Sequence, residues 1–224
     1  MKNARTTRVA RTTIAVVTSA LAVATLGAMS TQVAQAATAP NGPIERCTRV
    51  VHGPLEGAQV VAAGERLCLR KATVIGAITV QPGGALGARS STVSGAISLD
   101  GAIGFRFCHS VTTAGGAITS TNGVGPVHIG SVRLHVTKKC RGNAIEGAVT
   151  IQGNAAVVTL AHNRIDGAVT ANTTIPKSGV PIKIAANAFG GDLSCSGNSP
   201  EPTNKGRVNT VVGARSGQCA SSTF

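Results

Sequence analysis

Apolar and polar positions alternate along this chain in short phrases, each built around one glycine. The clearest are "VIGAITV" (74–80), "VSGAISL" (93–99), "IEGAVTI" (145–151) and "IDGAVTA" (165–171). Aligning the chain on Gly57, Gly76, Gly95, Gly116, Gly147, Gly167, Gly191 and Gly213 gives spacings of 19, 19, 21, 31, 20, 24 and 22 residues. A period near twenty is the mark of a solenoid, in which each repeat buries its apolar side only against its neighbours. The 31-residue interval predicts an insertion within or near "HVTKKCRGN" (135–143).

Two positions before the glycine stand Leu55, Val74, Val93, Ala114, Ile145, Ile165, Phe189 and Val211, all apolar. Two positions after it stand Ile78, Ile97, Ile118, Val149, Val169 and Leu193, with Gln59 in a degenerate first repeat. A weaker apolar column follows at the fourth position: Val80, Leu99, Ser120, Ile151, Ala171 and Cys195. Even offsets therefore face inward and odd offsets outward, which is the period-two pattern of a strand. A further strand precedes the phrase, most clearly in "VVTLA" (157–161) and "IKIAA" (182–186). Four positions before the glycine stand Asn143, Asn163, Asn187 and Asn209, with Ala72, Ser91 and Thr112 in earlier repeats. Asn at that point predicts left-handed turn residues and a ladder of stacked side chains.

The expected fold is all-β: a right-handed parallel β-helix with coils of about twenty residues, the hand following from the preference of parallel crossovers. Residues 57–194 carry the coils, 37–56 an N-terminal extension and cap, and 195–224 a C-terminal cap and tail. Residues 1–36 read as an export signal. Lys2, Arg5, Arg8 and Arg11 precede the apolar "TIAVVTSALAVATLGAM" (13–29), and "AQA" (34–36) predicts cleavage after Ala36. No second apolar run of spanning length follows, so the expectation is a secreted, extracellular chain without a transmembrane anchor.

Cys47, Cys68, Cys108, Cys140, Cys195 and Cys219 make an even set in an exported chain, which favours disulfides. Pairing them in chain order gives separations of 21, 32 and 24 residues, each close to one coil. Residues one coil apart lie about 4.8 Å apart, within disulfide reach.

Without the four signal cations the formal charge of +13 becomes +9. The basic residues read as scattered, apart from "KKCR" (138–141). With 2% aromatic residues and no Trp or Tyr, stacking platforms are lacking, which argues against a nucleic-acid partner. An anionic cell-wall polymer or another copy of the chain are the partners left to consider.

The chain is similar to a group of small exported actinobacterial proteins with V-x-G-N-V-x-V repeats. It shares their closing phrase, "CSGNSPEPTNKGRVNTVVGARSGQC" (195–219), but carries Ala after most glycines where they often carry Asn. The resemblance implies a secreted right-handed β-helix and no particular activity.

Candidate chemistry is sparse. Glu146 and Asp166 share a column in adjacent coils and are the one pair placed to hold a cation; Arg141 and Arg164 are alternative ion-pair partners. His52, His109, His128, His135 and His162 fall in no metal spacing, and no pattern calls for a cofactor or a catalytic triad. Three positions after the glycine, Thr79, Ser98, Thr119, Thr150, Thr170 and Ser194 form an outward row beside Ala77, Ala96, Ala117, Ala148 and Ala168. Such a face suits polysaccharide, ice or self-association, and equally an exposed strand with no ligand. The expected role is non-enzymatic, structural or surface-associated. The alternatives are a polysaccharide- or polyanion-binding module and a carbohydrate-active β-helix enzyme.

Overall fold

The computed structural model describes residues 46–131, 140 and 142–224. The export signal expected over 1–36 therefore lies outside it, as do His135, Arg141 and most of the expected insertion. Among the described residues all regular structure is β-strand, paired in parallel throughout. The chain is a β-solenoid of about eight turns.

Each turn has three faces. The first carries strands such as Ala85–Arg89, Gly104–Cys108, Val127–Gly130, Val158–Ala161 and Lys183–Ala185. On the second lie two-residue strands, including Thr92–Val93, Ala144–Ile145 and Arg164–Ile165. The third holds the segments after the glycines, from Gln59–Val61 to Arg215–Gly217. Two longer strands, Arg49–Glu56 and Arg66–Ile75, run through the corner between the first two faces. Pairing thus extends beyond 57–194 at both ends, because Arg49–Glu56 and Arg215–Gly217 each join a sheet.

The inward columns fill a narrow apolar core. Val74, Val93, Ile145, Ile165 and Phe189 are buried on the second face, and Ile78, Ile97, Ile118, Val149, Val169 and Leu193 on the third. The first face adds Leu67, Leu86, Phe105, Val127 and Val158 in one register.

The fourth coil departs from the expected alignment. Ala114 is exposed, and Thr112 takes the inward position between Val93 and Ile145. The 21-residue spacing is absorbed as a bulge, with Ala114 at φ 54° and Gly115 at φ 70°. Thr112 remains tolerable inside because its hydroxyl donates to the Gly116 carbonyl at 2.7 Å.

With Thr112 displaced, Ser110 takes its place in the side-chain ladder. The Ala72 N–H donates to Ser91 Oγ, Ser91 N–H to Ser110 Oγ, and Ser110 N–H to Asn143 Oδ1. Asn143 Nδ2 then donates to Asn163 Oδ1, Asn163 Nδ2 to Asn187 Oδ1, and Asn187 Nδ2 to Asn209 Oδ1. Asn209 closes the run by donating to the carbonyl of Phe224, whose ring packs on the core. The left-handed residues are not these asparagines. They are the residues just before the ladder: Lys71, Ser90, His109, Gly142, His162 and Ala186. The corner takes one residue with positive φ, and from Ser91 onward the next side chain donates to a backbone carbonyl. A second ladder at the opposite corner runs through Asn198 and Gln218.

The three disulfides join Cys47–Cys68, Cys108–Cys140 and Cys195–Cys219, the pairing that one-coil separation predicts. Their Cα atoms lie 5.7, 5.3 and 5.3 Å apart.

Candidate functional site

Glu146 and Asp166 sit in adjacent coils, since Ile145 pairs with Ile165. Their carboxylates turn to different partners. Glu146 Oε2 accepts from the Gly115 N–H at 3.2 Å, and Asp166 Oδ1 accepts from Arg164 Nε at 3.0 Å. Both residues are exposed, and Asp166 is held by one of the two cations expected near it. Among the described residues no three His, Cys, Asp or Glu side chains gather in a cluster fit for a metal.

The Thr/Ser row is continuous. Thr79, Ser98, Thr119, Thr150, Thr170 and Ser194 pair in register from coil to coil on the third face. Val60 extends it at one end and Ser216 at the other. The neighbouring outward row is alanine in most coils, broken by Asp192.

The most distinctive surface lies on the first face, and here the sequence misled: basic residues that read as scattered are gathered by the coils. Arg70 pairs with Arg89 in the next coil. Arg106 lies one coil beyond Gly87 in the adjoining outward column, which continues through His128 and Thr159 to Lys183. Lys71 occupies the left-handed corner position, which holds its side chain exposed at the same edge. A groove of about 770 Å³ opens there, lined by Arg70, Lys71, Arg89 and Arg106. Gly87 and Ala88 contribute to its floor, and Cys68 and Cys108, each held in a disulfide, line it as well. No carboxylate lines it. Among the described residues these four cations form no ion pair; the two ion pairs present use Arg49 and Arg164. The signal available in the sequence was recurrence at one coil length, as in Arg70 and Arg89, 19 residues apart.

His128 lies in the same column, next to Arg106. The ring is half-buried, and its Nδ1 has no hydrogen-bond partner. Burial, reinforced by Arg106 and Lys183, lowers its pKa from 6.5 to about 4. Protonation is thus disfavoured in the folded chain. Stability from the neutral ring is fully present above about pH 6.5 and is lost as pH falls towards 4, by no more than about 3 kcal/mol. His128→Gln removes that component. Denaturant unfolding at pH 7 and pH 4.5 is expected to show a smaller pH-dependent loss in the variant than in the parent; equal losses contradict the assignment.

No family model, characterised protein or solved structure matches this chain in comparison. The candidate site therefore rests on its own geometry. A concave, basic, carboxylate-free strip on a rigid parallel sheet is fitted to hold an anion.

Proposed function

We propose that this protein is a secreted, surface-associated solenoid that acts by binding, and that the basic first face holds an anionic extracellular polymer. One observation carries the reading: Arg70, Lys71, Arg89 and Arg106 surround a single groove without a carboxylate or an ion-pair partner. Like charges held this close raise the energy of the free protein, and an anionic ligand relieves that repulsion. The basic, apolar and "AQA" segments of residues 1–36 support export, as do three disulfides, which persist in oxidising compartments. The likeness to small exported actinobacterial proteins supports the same compartment. A stapled stack of parallel strands supplies rigidity rather than moving parts, which suits a scaffold.

Binding of this kind is salt-dependent, because each neutralised phosphate releases counterions. The protein is expected to be retained on immobilised linear polyphosphate at about 50 mM salt and released by about 500 mM. The triple variant Arg70→Gln, Arg89→Gln, Arg106→Gln should reduce the slope of log affinity against log salt by about 2. Arg164→Gln, on another face and already paired with Asp166, should leave it unchanged. Retention of the triple variant equal to the parent's refutes the reading.

A further inference from the structure

We propose that the groove contains a discrete subsite for a tetrahedral oxyanion, a phosphate or sulfate group, seated over Gly87. The inference rests on the polyanion reading and adds to it a specific place and a specific ligand geometry. Gly87 lies in the outward column between Cys68 and Arg106, where every neighbouring coil presents a side chain and this one presents none. The missing side chain leaves a hollow. Arg106 stands over it from the next coil, and Arg89 flanks it two residues along the same strand. Arg70 stands diagonally below, paired with Arg89. The disulfide at Cys68 on one side and that at Cys108 on the other hold adjacent coils together where the groove needs a fixed width.

Three guanidinium groups lining one groove from two columns and three successive coils call for several acceptor oxygens. A carboxylate offers two oxygens in one plane, which a single guanidinium fork satisfies. A phosphate or sulfate offers three or four, enough for each arginine to keep its own hydrogen bond. The lining residues include no Phe, Tyr or Trp, and the His52 imidazole is the one ring among them, so recognition falls mainly to the charged group rather than to a sugar or base that carries it.

The test separates the pocket from the general charge of the face. Gly87→Val keeps every cation and fills the hollow with a residue suited to a strand. Calorimetric titration at constant ionic strength is expected to show inorganic phosphate and sulfate binding to the parent more tightly than acetate. Gly87→Val, Arg89→Gln and Arg106→Gln should each weaken phosphate binding at least about tenfold, with circular dichroism confirming the fold. Arg164→Gln, on another face and paired with Asp166, should bind phosphate as the parent does. Phosphate binding unaltered by Gly87→Val, or acetate binding as tightly as phosphate, overturns the subsite while leaving the polyanion reading in place. Loss of all polymer retention by the parent overturns both. Tighter binding of polyphosphate than of dextran sulfate at equal charge assigns the group to phosphate, and the reverse order to sulfate.

Discussion

Asn163→Ala is expected to lower the unfolding free energy by about 3 kcal/mol, although the side chain is polar rather than apolar. Its side chain is 3% exposed and carries three hydrogen bonds. It accepts from Asn143 Nδ2 at 2.8 Å, donates to the Ile129 carbonyl at 3.0 Å and donates to Asn187 Oδ1 at 2.9 Å. Truncation strips the buried Ile129 carbonyl of this donor and Asn143 of one acceptor, in a place water reaches poorly. Leaving buried polar groups unsatisfied costs about 1–3 kcal/mol each, more than the bonds contribute when made. The protein supplies its own milder variant, because Ser91 and Ser110 occupy the same column and accept from the preceding coil's backbone. Asn163→Ser should therefore lose less than Asn163→Ala. Denaturant unfolding measures both, and equal, negligible losses would show that the ladder is not a structural element.

The second large effect falls on the glycine column. Gly167→Ala is expected to cost about 3 kcal/mol or more. A Cβ on Gly167 would stand 2.6 Å from the Ala148 nitrogen and 2.7 Å from the Gly147 carbonyl carbon. Both are backbone atoms of the preceding coil, so no side-chain rotation relieves the contact. The same conflict recurs at Gly76, Gly95, Gly147 and Gly191, where the corner between the second and third faces brings successive coils together. Gly57 provides the contrast. It opens the column, has no atom within 4 Å of a built Cβ, and sits at φ 81°. Gly57→Ala should cost only the left-handed penalty, about 1 kcal/mol. A melting temperature lowered more by the first substitution than by the second is the outcome that close packing demands, and similar shifts would argue against it.

These two columns show what the sequence disclosed and where it stopped. The glycine is required by coil-to-coil contact, so it recurs at every turn and anchors the alignment. Apolar residues at even offsets follow from the pleat, and the disulfide pairing follows from the coil length. Thr112 was misplaced because the two-residue bulge at Ala114 and Gly115 shifts register without changing composition. The asparagines were expected to hold the left-handed angles, but the residue before Asn143, Asn163 and Asn187 does so. His109 and His162 accept that conformation because the ladder side chain that follows each, Ser110 or Asn163, secures the corner.

The basic face was hidden for a different reason. Arg70, Arg89 and Arg106 lie outside the glycine phrase, at two different outward columns, so no alignment on glycine puts them together. Only the lateral neighbours within one face, fixed by folding, reveal that they share a groove. Glu146 and Asp166 illustrate the converse. Sequence alignment put them side by side, yet local partners, the Gly115 N–H and Arg164, claim each carboxylate separately.

The first face, rather than the Thr/Ser face, is proposed to meet an anionic polymer. Backbone amide chemical shifts recorded while linear polyphosphate is added at low salt test it most directly. Shifts are expected to concentrate at Cys68–Lys71, Gly87–Ser90 and Arg106–His109 and to be reversed by added salt. Shifts concentrated instead at Thr79, Thr119, Thr150 and Thr170 would contradict it.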